Sequence, residues 1–294
     1  MFEGRIAAEN SSADAADSEA EHVGFRESLS RIRALMLTAL GSPQGFFTQY
    51  PYAEHLQPVG EPYPEVEALC ADVPLHSFLG EIAQHREVFR RFGASDLDPV
   101  LGRGMFSTLD GMAAYAAVRK FKPKRIVEIG SGDSTFFLAR GVRDNGQGVI
   151  TCIDPKPQRD ITALNVDFQP RIMTNADAEM AGDLEENEIL FIDSSHIMLP
   201  GMDVDILFNR LFPRLKKGVV VHIHDIFLPD DYPPHWQTRN FSEQTALIGW
   251  LISDFFEILW PGHYALTRRP DLVLPLIPSQ APNTGAGSLW LRRR

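Results

Sequence analysis

Glu128-Ile129-Gly130-Ser131-Gly132-Asp133-Ser134-Thr135 is the stretch on which the reading of this chain turns. It follows the apolar run Arg125–Ile129, which suits a buried strand, and leads into a helix-compatible stretch, Ser134–Val142. In an open parallel sheet a ligand binds at the carboxyl ends of the strands, where the first strand turns into its helix. Glycine at 130 and 132 permits a tight turn and lets the backbone come close to that ligand. A Gly-x-Gly alone also suits a bare structural turn, but its neighbours narrow the reading. The next strand ends in Asp154, 24 residues after Gly130, placed to accept hydrogen bonds from ribose hydroxyls. A dinucleotide fingerprint needs a third glycine where this chain has Thr135, and Glu128 would repel a pyrophosphate. An acid before the turn suits a nucleoside ligand bearing an ammonium and a sulfonium.

Outward from the turn, apolar runs at Val149–Ile153, Ile189–Ile192 and Gly218–Ile223 alternate with helical stretches. This pattern predicts an α/β fold with a doubly wound, mostly parallel sheet, expected to be seven-stranded although six strands can be read directly. Phe255–Leu259 and Ser288–Leu291 are expected to close it as a C-terminal antiparallel hairpin, joined by a long loop rather than by a helix. Ahead of the first strand, Phe106-Ser107-Thr108-Leu109-Asp110 leads into a helix through about Phe121, with Ser107 or Thr108 as its cap and Pro123 ending it. Helical spacing of apolar residues recurs from Phe25 to Leu40 and from Leu79 to Phe92. The organisation read from this is an acidic disordered tail over 1–24, a helical N-terminal extension over 25–105, and the α/β domain over 106–294.

Composition bounds the partners. A net charge of −11 argues against a nucleic-acid backbone, and the basic clusters at 119–125 and 292–294 read as solvated surface. No apolar run approaches the length of a membrane span, and no basic-then-apolar leader opens the chain, so a cytoplasmic protein is expected. Two cysteines give neither a disulfide framework nor a metal signature. A small-molecule substrate fits this balance, and an oligomer is compatible with it.

With these residues in hand, the chain resembles a bacterial group of class I (Rossmann-like) methyltransferases over roughly residues 100–265. The resemblance rests on ordered blocks: residues 106–110, 128–135, Phe191-Ile-Asp-Ser-Ser-His196, 222–233, and Glu243-Gln244 before the 256–260 strand. The third glycine usual in methyltransferases is Ser134 here, followed by Thr135, as is common in this group. A terminal antiparallel hairpin is also a feature of methyltransferase sheets. The resemblance implies S-adenosylmethionine as cofactor, held by Glu128, Gly130, Ser131, Gly132, Ser134, Thr135, Asp154 and Asp177. It also implies transfer to a hydroxyl of a sugar or small metabolite, and in some members a divalent metal.

Asp193 and His196 lie at the end of the fourth strand. In the metal-using sugar O-methyltransferases that this block resembles, the matching aspartate binds metal and the matching histidine is the base. His196 is therefore the candidate general base, and Asp193 a metal or substrate ligand; the bland reading of His196 is a helix-start residue bonded to the backbone. Strand alternation puts His222 and His224 on one face, with Asp225 opposite or at the tip. His222 reads as a satisfied core histidine. Asp193, His224 and Asp225 form a candidate metal set. A Glu-Asp pair stands at the 224–225 positions in the resembling enzymes, and imidazole there suits Mn²⁺ or Fe²⁺ better than Mg²⁺. His224 could equally bind substrate directly. Tyr232, His235 and Trp236, in a Pro- and aromatic-rich stretch, are candidate acceptor-pocket walls or parts of a rigid surface loop. Asp110 is a candidate contact at the methionine end. The competing readings are a non-catalytic nucleoside-binding protein of the same fold, an NAD-dependent oxidoreductase, and a metal-dependent oxygenase suggested by His222-x-His224-Asp225.

Overall fold

The computed structural model describes residues 29–42, 44–45, 51–52, 55, 60–279 and 281–294, without the side chains of residues 235, 237 and 238. The expected acidic tail and the start of the first helix lie outside the described residues. The chain divides into two compact units, residues 1–57 and 58–294. In the first, residues 29–39 are helical.

The second unit holds the sheet. Strands β1 (Arg125–Ile129), β2 (Val149–Ile153), β3 (Asp167–Gln169), β4 (Ile189–Ile192), β5 (Val220–Ile223), β6 (Phe256–Pro261) and β7 (Leu289–Arg293) run in the order β3-β2-β1-β4-β5-β7-β6. The first five are parallel; β7 is antiparallel to both β5 and β6, between which it lies. β4 and β5 are buried at every residue, which is why they read as unbroken apolar runs rather than alternating ones.

Helices cover both faces. One apolar layer joins α2 (Leu75–Ala83), α3 (Thr108–Phe121) and α4 (Asp133–Asn145) to the sheet through Phe78, Met112, Phe137, Trp260 and Trp290. The other includes α1 (Pro64–Ala71), α5 (Asn175–Gly182), the π-helical turn at Ile206–Leu211 and α6 (Glu243–Ile252). Residues 60–105 thus belong to the same compact unit as the sheet, with Phe78 stacked on Trp260 at 5.4 Å. Each such fully buried large side chain contributes about 1.5–3 kcal/mol relative to exposure.

One expectation is corrected. The connection from β6 to β7 is not a bare loop: it carries α7 (Gly262–Arg268) and a short helix, Pro270–Val273. Ala265 and Val273 are fully buried, so packing holds helical turns where prolines 270, 275 and 278 obscured the periodicity. Among the described residues, no helix is long and apolar enough to cross a membrane.

The strand order reverses between β1 and β4. That switch point opens a crevice beyond the carboxyl ends of the strands, and the candidate site lies there.

Candidate active site

A cavity of about 770 Å³ occupies the crevice. It is large enough for a nucleotide-sized ligand together with a small second molecule. Residues after β2 and β3, including Asp154, Lys156, Gln158 and Met173, line one end; residues after β4 and β5, including Asp193, His196, His224 and Asp225, line the other.

The β1–α4 turn forms the floor. Gly130 has φ +82°, and a Cβ there would stand 1.7 Å from the carbonyl oxygen of Asp193. Only glycine lets the first and fourth strand ends approach this closely. Gly132 differs, because its backbone is extended and a Cβ would meet nothing closer than 3.4 Å; its value is an open face on the cavity. Asp154 accepts from Ser131 N and Oγ through one oxygen (2.7 and 3.1 Å) and from Lys156 N through the other. Its carboxylate is held at the cavity wall by the loops on either side.

Glu128 does not face the cavity. It is completely buried beneath the turn, where it accepts from Ser134 Oγ at 2.7 Å, Thr135 Oγ1 at 2.8 Å and the Cys152 thiol at 3.1 Å. Burial pushes its pKa up to about 7 against the pull of those donors. Thr135 Oγ1 also accepts from Gly132 N, so Glu128 and Thr135 brace the turn from behind. Asp177 likewise stands apart from the cavity: it accepts from Thr174 N and Oγ1 as a helix cap and pairs with Arg171 at 2.6 Å.

At the other end, β4 and β5 bring four predicted residues together. His196 Nε2 lies 3.6 Å from Asp193 and 3.4 Å from Asp225. His224 Nδ1 lies 3.5 Å from Asp193 and 3.3 Å from Asp225. His196 and Asp225 both hold left-handed backbone, φ +59° and +55°, a conformation uncommon for residues with a side chain.

The far nitrogen of each imidazole meets a buried carboxylate. Glu243 Oε2 is 2.8 Å from His196 Nδ1, and Asp110 Oδ2 is 3.3 Å from His224 Nε2. Burial alone would lower the pKa of His196, but the hydrogen bond and charge of Glu243, with Asp225 and Asp193, push it up to about 9. The same competition raises His224 through Asp193, Asp225 and Asp110. Asp193 is held below the usual carboxylate range, since His224 and His196 outweigh its burial; Asp225 is raised by burial.

Asp110 therefore sits behind His224 rather than on the cavity wall, and it also accepts from Ser107 Oγ, Gly287 N and Ser288 N. His222 is stacked on Phe191 and bonded to Ser288 through Nε2, while its Nδ1 lacks a partner, so it is only half satisfied. Tyr232 and Trp236 stack together one layer back, and the wall itself is made by Arg239 and Phe241. The side chain of His235 is outside the described residues. Arg239 and Phe241 carry weight that no motif assigned them, and Glu243, though part of a block of the resemblance, is given no role by it.

Residues 127–226 match a protein family described as "Methyltransferase domain". The matched span is about a third of the chain and takes in the β1–α4 turn and strands β2 to β5. Solved structures similar to it include the O-methyltransferase from Bacillus cereus in complex with SAH (15% identity, 78% of this chain and 96% of that one, TM-score 0.41). Another is the O-methyltransferase TomG from Streptomyces achromogenes, involved in tomaymycin synthesis (16%, 74% and 88%, 0.38). A third is the cofactor-bound Rv0187 from MTB (14%, 74% and 90%, 0.42). No curated protein matches the chain significantly.

Proposed function

We propose that this protein transfers a methyl group from S-adenosylmethionine to a hydroxyl oxygen of a small acceptor, a sugar or other metabolite. The observation that carries this reading is the contact of the nucleotide turn with the acid–histidine cluster: Gly130 lies against Asp193, so donor and proton-handling groups share one cavity. When bound, the cofactor supplies a methyl group on a sulfonium. Asp154 would accept from its ribose hydroxyls, and the backbone of residues 130–132 would approach it closely. His196 Nε2, on the cavity wall and oriented by Glu243, is the atom to receive the acceptor's proton once it has given up its own, and with its pKa held near 9 that requires alkaline pH or a bound cation nearby. Methyl transfer by displacement also needs alignment, which a cavity lined from both sides of the switch point supplies by restricting both reactants.

A divalent ion held by Asp193, His224 and Asp225 belongs to this proposal. The donor spacings of 3.3–3.5 Å between His224 and the two carboxylates suit adjacent ligands of one ion, which lie about 3.0–3.4 Å apart at bonds of about 2.1 Å. The Asp110 carboxylate behind His224 is the support that metal-bound imidazoles usually have. Mixed nitrogen and oxygen donors suit Mn²⁺ or Fe²⁺ above Mg²⁺. A second reading is favoured by one observation: among the described residues it is Asp193, His196 and Asp225, without His224, whose donor atoms all lie within 4.8 Å of one another, which would make His196 a ligand instead of a base.

Calorimetry with adenosylhomocysteine, with and without Mg²⁺, Mn²⁺ or Fe²⁺, tests the whole. No binding under any condition sinks the proposal. Metal analysis of His196→Ala separates the two readings: an ion retained while transfer is lost supports the base, and an ion lost supports the ligand.

A further inference from the structure

Arg239 lines the acceptor end of the cavity, beyond the cluster at the ends of β4 and β5. Its guanidinium lies over the Trp236 ring at 4.3 Å and near Phe241 at 5.7 Å. Phe241 in turn stands 4.9 Å from the imidazole of His196, so a single aromatic ring separates Arg239 from the proposed base. Among the described residues, no carboxylate pairs with Arg239. Asp203, another residue lining the cavity, is already engaged by Ser195 N at 2.9 Å and Ser195 Oγ at 2.5 Å. Most other arginines of this unit that approach the cavity or core are paired, as Arg159 is with Asp133 and Arg268 with Asp230.

A guanidinium held over an aromatic ring can keep N–H groups for a ligand, and its planar fork matches an oxyanion with two parallel hydrogen bonds. Stacking also fixes its plane before a ligand arrives, which reduces the ordering cost of binding. The acid–histidine cluster lies just past Phe241 from this cation, so a small molecule bound there can meet the cluster at one group and Arg239 at another.

We propose that the acceptor is a hydroxylated anion whose carboxylate or phosphate is held by Arg239, with the methylated hydroxyl directed at His196. This rests on reading the cavity as a methyl-transfer site. It places specificity in a residue just after the Pro- and aromatic-rich stretch, whereas the net charge of −11 pointed only to a small-molecule substrate.

The test uses the whole protein saturated with adenosylhomocysteine and inorganic phosphate as the probe, titrated against chloride at constant ionic strength. The Arg239 side-chain Nε–H resonance, assigned by its loss in Arg239→Gln, is expected to shift saturably. Phosphate affinity should fall at least tenfold in Arg239→Gln and recover in part in Arg239→Lys, while adenosylhomocysteine affinity stays within twofold. A second arm compares glucuronate and glucose 6-phosphate with glucose as competitors of phosphate; displacement by the first separates carboxylate from phosphate selectivity, and displacement by neutral glucose alone overturns the proposal. A phosphate shift that does not saturate, or one unchanged in Arg239→Gln, overturns it too. Loss of adenosylhomocysteine binding by the unmodified protein would instead remove the reading of the cavity itself.

Discussion

Glu243 and His196, 47 residues apart in sequence, meet at 2.8 Å with the carboxylate wholly buried and its second oxygen without a partner. A buried carboxylate held by one imidazole fixes both the tautomer and the direction of the ring, leaving Nε2 toward the cavity. Glu243→Gln keeps the size and one acceptor but removes the charge. The His196 pKa should then fall from about 9 toward the ordinary value. Histidine NMR titration reads this directly, and an unchanged value would remove Glu243 from the account.

Gly130 and Gly132 should separate cleanly under the same substitution. Gly130→Ala forces a Cβ onto the Asp193 carbonyl and strains a positive φ, a cost on the order of 2–4 kcal/mol. Gly132→Ala has room in the fold but enters the cavity. Thermal denaturation should show a large loss for the first alone. Titration with adenosylhomocysteine should show weakened binding for the second at near-normal stability.

Glu128 makes folding stability depend on pH in an unusual direction for a carboxyl group. Its pKa is about 7 in the fold against 4.5 for the free group, so the fold favours the protonated form. The stabilisation is complete below about pH 4.5 and is lost as pH rises through 7, roughly 3 kcal/mol in all. Denaturant titrations at pH 5 and pH 8 should show this loss, and Glu128→Gln should flatten it. Equal slopes in both proteins would mean that Glu128 is ionised at low pH.

Asp177→Ala should cost stability without touching the cofactor. The carboxylate caps α5 through Thr174 and pairs with Arg171, which predicts a loss of about 1–2 kcal/mol. Adenosylhomocysteine affinity should stay within twofold; a tenfold loss would return Asp177 to the ligand.

Much of the fold was legible because its central strands are buried on both faces. The runs at 125–129, 149–153 and 189–192 have the bounds read from sequence, and Ser107 caps α3 as its side chain allows. β3 was not legible: Asp167-Phe168-Gln169 offers one apolar residue at a sheet edge and no period. At the site, residues fixed to strand ends (Asp154, Asp193, His196, His224 and Asp225) reach the cavity, as expected of groups whose direction the backbone sets. Glu128, Asp177 and Asp110 have the right residue type near the right place, yet their carboxylates are taken by neighbouring donors. Which side of a turn an acid faces depends on where the donors fall after folding, and spacing does not encode that.

The position of β7 carries a consequence for synthesis. It is the last strand in sequence yet lies between β5 and β6, and Gly287 and Ser288, just before it, donate to the Asp110 carboxylate that supports His224. A nascent chain lacking residues 287–293 therefore leaves the facing edges of β5 and β6 unpaired and Asp110 without those two donors. The support behind His224 is therefore assembled by a segment made after every other strand of the sheet.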